Sequence, residues 1–365
     1  MNHESQNPRP RGGAPLDVGS VHPDLRRAGT LHPALHFDPA AHARVLERVF
    51  VPSWQLLPVP EPGHVVEPFT LLDGGLDEPL VWIRDGDDER VLSNVCTHRG
   101  ALLATCASDG KALRCAYHGR RFGLEGKMEA CPGFDGALDF PRPEDDLAAV
   151  ELRALGPLRF LSLSSGMAFD EWSRPLRVAL AEFEGETFSF APEASRAYDL
   201  DASWAVYCEN YLEGFHIPFV HPGLNAGLDF GKYRVEIEGQ TVNQLGFGSK
   251  GERCLRREEG LVAEYLWLYP NLMVNVYTWG ISVNLVEPTG PGRCRVRYLR
   301  WVARPSLVET GVGSGLDQVE LEDQAVVHSV QRGVRSRLYP GGRFSPEHEA
   351  GPHHFQRLLA ADLSS

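Results

Sequence analysis

Two short segments, Cys96-Thr97-His98 and Cys115-Ala116-Tyr117-His118, each carry one thiol and one imidazole, with sixteen residues between them. A chain that holds these four side chains on one inorganic centre must fold so that two separate loops meet. Zinc sites of mixed ligation generally use C-x2–4-C and H-x3–5-H pairs, and a structural zinc is the plainer reading here. The ligand types alternate instead. Alternation suits a two-iron cluster in which thiolates hold one iron and imidazoles the other, each loop giving one ligand to each iron. Gly100 and Gly119 follow the two pairs and permit the tight turns such loops need. Around them, from Trp54 to about Ser165, short apolar runs are broken by Gly and Pro. Val65-Val66, Leu80 to Ile83 and Val91-Leu92 read as strands of a small β domain.

A second stretch, E-N-Y-L-E-G-F-H-I-P-F-V-H from Glu209 to His221, has a different chemistry. On a helix, Glu209, Glu213 and His216 share one face. Pro218 disfavours helix at Ile217 and should end it near His216, so that His221 returns from another direction. Two converging imidazoles need one more ligand to make a two-histidine, one-carboxylate iron site with open positions. Asp323 is the candidate. Leu316, Val319, Val326, Val327, Val330 and Val334 form an apolar stripe at helical spacing, and Asp323 falls inside it while Glu320, Glu322 and Gln324 point elsewhere. A carboxylate on a buried face needs a partner, either a metal or a core arginine or backbone group; a metal is the better one here. The remaining histidines read as surface or capping residues, among them His36 and His353. Long strand candidates (Tyr233 to Val242, Leu261 to Tyr269, Leu272 to Val286, Arg293 to Val302) and helices near 175–183, 317–337 and 353–360 complete an α+β chain. An N-terminal helix is expected from Asp38-Pro39 to about Phe50, an N-cap followed by proline at the first helical position.

With both motifs in hand, the chain resembles the α subunit of the Rieske non-haem iron oxygenases. C-T-H-R-G and C-A-Y-H-G-R-R-F are similar to that family's cluster loops, the Glu209–His221 stretch to its iron helix, and E-D-Q before V-Q-R-G to the place of its iron aspartate. The resemblance implies Cys96, His98, Cys115 and His118 on a [2Fe-2S] cluster, and His216, His221 and Asp323 on a mononuclear Fe(II). It implies Glu213, Asn210 and Glu209 as catalytic candidates. It further implies a Rieske domain and a helix-grip catalytic domain with an antiparallel sheet covered by helices, O2 as co-substrate, and electrons from a separate flavin/iron-sulfur reductase. A homotrimer or larger ring follows as well, with Glu213 bridging a neighbour's His98 or His118 to His216. Arg120 departs from the pattern, since many members carry Trp after H-G, and Ala205 stands where Lys is common. Length and Glu rather than Asp at position 213 are in character with members acting on choline, carnitine and related betaines. An aromatic-ring dioxygenase is the alternative, and a Rieske electron carrier without oxygenase activity is a third. The carrier would leave the second motif unexplained.

Composition narrows the rest. With 36 basic against 49 acidic residues the chain carries −13, which argues against a nucleic-acid or anionic-membrane partner. No apolar run reaches membrane-spanning length and no signal-peptide pattern opens the chain, so a cytoplasmic protein is expected. Seven scattered cysteines fit a reducing compartment, with Cys106 and Cys131 unbridged and Cys208, Cys254 and Cys294 as small buried hydrophobes. No G-x-G-x-x-G follows a strand, so electrons must come from another protein. Tyr265, Trp267, Tyr269, Tyr277 and Trp279 read more readily as sheet core than as pocket, although stacked rings can hold a quaternary ammonium. The expected organisation is a disordered tail over 1–30, a helix and cluster domain over 31–165, and a catalytic domain over 166–365.

Overall fold

The computed structural model describes residues 19, 21–59, 63–164, 166–221, 231–248, 253–255, 258–308, 310 and 316–364. Most of the stretch expected as a tail lies outside them. Its last part is folded: Val21 and Ala28 are buried, Gly29 bridges Arg343, and the Arg343 guanidinium donates to the Ala28 carbonyl at 3.0 Å. Buried backbone requires such partners, and here the chain's far end supplies them. The helix Pro39–Val45 starts as its sequence dictates, with Asp38 Oδ1 accepting the Ala40 and Ala41 N–H groups at 2.9 and 3.0 Å.

Nine short strands follow: β1 Gln55–Leu56, β2 Val66–Leu71, β3 Glu78–Asp85, β4 Asp88–Ser93, β5 Leu113–Arg114, β6 Arg121–Phe122, β7 Met128–Ala130, β8 Ala149–Leu155 and β9 Leu158–Ser162. They make a six-stranded sheet, ordered β1-β9-β8-β4-β3-β2, and a three-stranded one, β5-β6-β7. One thiol–imidazole loop follows β4 and the other joins β5 to β6.

The second half holds an eight-stranded antiparallel sheet. Its strands are β10 Ser189–Phe190, β11 Arg196–Leu200, β12 Arg234–Glu238, β13 Thr241–Phe247, β14 Leu261–Leu268, β15 Leu272–Tyr277, β16 Gly280–Gly290 and β17 Arg293–Val302. Two strand candidates are split by hairpins. Gly239, at φ +55°, turns β12 into β13, a conformation that favours glycine in a two-residue hairpin loop, and Thr278-Trp279 turns β15 into β16.

Strand alternation gives this sheet two faces of different character. One carries Leu245, Leu266, Val274, Val276, Ile281, Val283 and Trp301, packed on the helix Arg174–Leu180 and on Phe160 of β9. The other face is divided. At one end Val242, Trp267, Met273, Val286 and Val296 pack on the helices Trp204–Tyr211 and Ala350–Ser364. At its other end the same face is polar and aromatic: the register aligns Gln244 with Tyr265, Tyr265 with Asn275, Asn275 with Ser282, and Asn284 with Tyr298. Trp267 and Tyr269 are therefore core, as expected, whereas Tyr265 and Tyr277 face the polar end. Among the described residues no helix is long and apolar enough to cross a membrane.

Candidate functional site

The two thiol–imidazole loops are the same turn built twice. In each, the Cys N–H donates to the carbonyl five residues on (Ala101 or Arg120, both 2.8 Å), and the glycine four residues on donates back to the Cys carbonyl (2.9 and 3.0 Å). Gly100 and Gly119 sit at φ +73° and +77°, the left-handed region this turn requires. Cys96 and Cys115 are buried, whereas His98 is half-buried and His118 exposed, with ring centroids 4.8 Å apart. Burial raises the Cys96 thiol. Cys115 is lowered: burial is outweighed by hydrogen bonds from the Tyr117 and His118 N–H groups and the neighbouring Cys96. Two inner sulfurs and two outer nitrogens fit a cluster with one thiolate-bound and one imidazole-bound iron. None of the seven cysteines is joined to another by a disulfide, Cys106 and Cys131 included.

The second centre is assembled from three elements. The helix Trp204–Tyr211 starts at Ser203, whose N–H is held by Gln331 Oε1 at 2.9 Å, and ends at Leu212, short of the expected His216. A turn follows, in which Gly214 lies so close to Tyr233 that a Cβ would meet its ring at 2.8 Å. Glu213 therefore leaves the helix. It reaches His216 across the turn, one oxygen taking the His216 backbone N–H at 3.0 Å and the other lying 2.6 Å from Nδ1. A four-residue helix, Ile217–Val220, then delivers His221.

Asp323 comes from the helix Leu316–Val334. Its Oδ1 lies 3.0 Å from His221 Nε2 and 3.5 Å from His216 Nε2, and Asn210 Nδ2 donates to it at 2.6 Å. One ligand atom from each of His216, His221 and Asp323 lies within 4.8 Å of the others. Both histidines have Nδ1 engaged by a carboxylate, Glu213 for His216 and Glu322 for His221 at 2.7 Å, which turns both Nε2 atoms toward Asp323. That is the arrangement of metal-binding histidines, whose second nitrogen is oriented by an outer carboxylate. Burial disfavours charge on His216, but Asp323 and Glu213 outweigh it and lift the imidazole to about 9; burial opposes the Asp323 charge too, yet the two histidines hold its carboxyl at about 2. A concentration of opposite charge this tight is what a divalent cation replaces, with release of protons.

Three sequence readings need correcting. Glu209 does not face this site: its carboxylate accepts Gln356 Nε2 at 2.7 Å, toward the C-terminal helix, because the helix ends before Glu213 and the two glutamates no longer share a face. Glu320 and Glu322 do not point away. Glu322 braces His221, and half-buried Glu320 accepts the Tyr207 hydroxyl at 3.2 Å. The i, i+3 spacing from Glu320 to Asp323 carried that signal, whereas Glu322 could be found only by knowing where His221 arrives. His36 and His353 are buried, His353 against the His22 carbonyl at 2.8 Å.

Comparison with known proteins agrees with this division. The Rieske [2Fe-2S] domain family matches residues 71–141, and the ring hydroxylating α subunit catalytic domain family matches residues 189–365. The chain is 31% identical over 359 residues to the chloroplastic choline monooxygenase of Arabidopsis thaliana, covering 93% of this chain and 84% of that one. It is 26% identical over 374 residues to the carnitine monooxygenase oxygenase subunit of Escherichia coli (strain K12), covering 92% and 94%. The crystal structure of a quaternary ammonium Rieske monooxygenase shares the fold, with a TM-score of 0.74 at 22% identity over 94% of this chain and 99% of that chain.

Proposed function

Because the chain belongs to the Rieske non-haem iron oxygenase α subunits, we propose that it oxidises a quaternary-ammonium or other N-methylated small molecule. It is an oxidoreductase with a Rieske [2Fe-2S] cluster and a mononuclear iron, and its family works with a separate reductase. When bound, the iron supplies a coordination position at which O2 is activated with electrons relayed by the cluster. We assign the cluster to Cys96, His98, Cys115 and His118, and the iron to His216, His221 and Asp323. Asn210 holds the Asp323 carboxylate, and Glu213 and Glu322 hold the imidazoles.

The substrate reading rests on one observation, the polar end of the sheet face beside this centre. Tyr265 has a buried hydroxyl with no hydrogen-bond partner among the described residues, and its ring lies 6.1 Å from Tyr277, which stacks on Trp279 at 5.4 Å. Tyr211 and Tyr277 lie within electrostatic reach of each other, of Tyr265 and of Glu320. Tyrosine faces attract a quaternary ammonium, and the Glu320 carboxyl beside them, pushed up to about 8 by burial, gives up its proton more readily once such a cation is bound. The two relatives named for choline and carnitine support the same class. Oxygen uptake with a surrogate reductase should be coupled to oxidised product for choline, carnitine or a betaine, and product from simple aromatics alone overturns the reading in favour of a ring dioxygenase.

Assembly into a ring of copies is part of this proposal. Tyr117 and Leu102, 60% and 49% exposed, flank the cluster histidines, while Phe219 and Phe215, 78% and 45% exposed, flank His216. A neighbour's cluster face set on this second patch would cover both and bring its His98 or His118 to Glu213. Glu213→Ala should keep colour, weaken iron binding by roughly 10-fold as the loss of a brace on His216 does, and, once reloaded with iron, slow single-turnover electron transfer; an unchanged rate in the reloaded variant, or an active monomer at high dilution, removes the bridge. The free cysteines support a reducing compartment, and we place the protein in the cytoplasm.

A further inference from the structure

Arg120, a departure from the pattern that the resemblance implies, has a side chain only 2% exposed. The guanidinium is fixed from several sides. Nη1 donates to Thr97 Oγ1 at 2.8 Å and to Asp145 Oδ1 at 3.2 Å, and Nε donates to Cys131 Sγ at 3.2 Å. The Phe134 and Phe140 rings lie 5.3 and 5.4 Å from its central carbon, and Phe134 meets the His98 ring edge-on at 5.3 Å. Thr97 separates Cys96 from His98 in the first loop, and the Arg120 carbonyl closes the second by accepting Cys115 N–H. A permanent cation is thus clamped between the two loops that carry all four candidate ligands. Its field is felt at Cys96, Cys115 and His98. Away from water such a field is weakly screened. Asp145 opposes it, but its side chain is 18% exposed, so solvent weakens the carboxylate's share more than the guanidinium's.

We propose that Arg120 is a positioning residue that sets the reduction potential of the Rieske cluster, its buried charge favouring the reduced form and Asp145 offsetting part of that effect. One electron enters from the reductase and leaves to the mononuclear iron; the reduced cluster carries one more negative charge, and Arg120 neither gains nor loses a proton or an electron. The two phenylalanines exclude water from one side of the guanidinium and tie it mechanically to His98. The inference rests on the assignment of Cys96, His98, Cys115 and His118 as cluster ligands.

The test is a redox titration of the full-length holoprotein, followed by visible absorbance and EPR at fixed pH and salt. Arg120→Gln should lower the reduced-to-oxidised ratio at a given potential by about tenfold, which is about 59 mV downward for one electron. Asp145→Asn should move the ratio the other way, several-fold upward, and Arg120→Lys should shift less than Arg120→Gln. A clamp with a structural role alone would move both sites' variants in one direction or leave the potential unchanged. A wild-type potential in Arg120→Gln, or a fall in Asp145→Asn, overturns the proposal. Should Arg120→Gln fail to hold a cluster, the sign of the Asp145→Asn shift decides. A cluster spectrum that survives Cys96→Ser sinks the ligand assignment rather than this inference.

Discussion

The two candidate metal centres are built in opposite ways. The candidate cluster ligands sit on two copies of one local turn, and each turn is closed by hydrogen bonds spanning four or five residues. The candidate iron ligands come from elements about a hundred positions apart: Asp323 lies 107 residues beyond His216, on a helix docked through Gln331 to Ser203. The first centre buries its thiols and leaves His118 exposed and His98 half-buried, as suits electron exchange with a partner. The second buries His221 and braces both imidazoles with carboxylates, as suits holding one ion in fixed geometry. A centre made of local turns should fail alone when a ligand is lost, and one made of docked elements should fail by degrees as its braces are removed.

The largest effect should come from Cys96→Ser or Cys115→Ser. Either should abolish the red-brown colour and Rieske EPR signal, removing about two of three irons per chain while the mononuclear iron remains. A variant that stays coloured would break the comparison at its first term. Asp323→Ala is next: mononuclear iron affinity should fall by at least ~100-fold with the cluster spectrum unchanged, as read by iron analysis after chelation. Loss of both centres in that variant would show that they are not independent. Glu322→Gln should weaken iron binding by roughly 10-fold, since the amide still reaches His221 Nδ1 but no longer carries charge. Wild-type affinity there would make Glu322 a surface residue.

The smallest effect concerns Glu209, now outside both centres. Burial, only partly relieved by Gln356, raises its carboxyl from 4.5 to about 7. The folded chain therefore holds a proton that the unfolded chain has released, and stability falls as pH rises from 4.5 to 7. Glu209→Gln removes that loss, so its stability advantage over wild type should grow from pH 5 to pH 8 by at most about 3 kcal/mol, measured by denaturant unfolding with both centres loaded. An advantage independent of pH would mean that the carboxyl titrates normally.

Legibility follows the same divide. Cys96, His98, Cys115 and His118 could be read because spacing within a loop is a local property, and the antiparallel, helix-covered catalytic sheet followed from long strand patterns. Asp323 was legible through the apolar stripe, although that stripe is narrower than its sequence: Val327 and Val334 are buried, whereas Val330 is 42% exposed. Glu209 lies away from the face its sequence spacing suggests because the helix ends at Leu212, well before Pro218, and the chain then packs Gly214 on Tyr233. That contact is tertiary, and no local pattern announces it.

Glu209's attachment has one more consequence. Gln356, which donates to Glu209, accepts the Leu31 N–H at 2.7 Å through its other amide atom, so one side chain joins the chain's beginning, its middle and its end. On the ribosome the strands from Gln55 to Ser162 have all their pairing partners among themselves. The helix bearing Asn210 must wait for Asp323 and then for Gln356, which follows 33 residues later. A nascent chain therefore completes the strands around the candidate cluster loops well before the candidate iron pocket, because Asp323 is made 205 positions after His118.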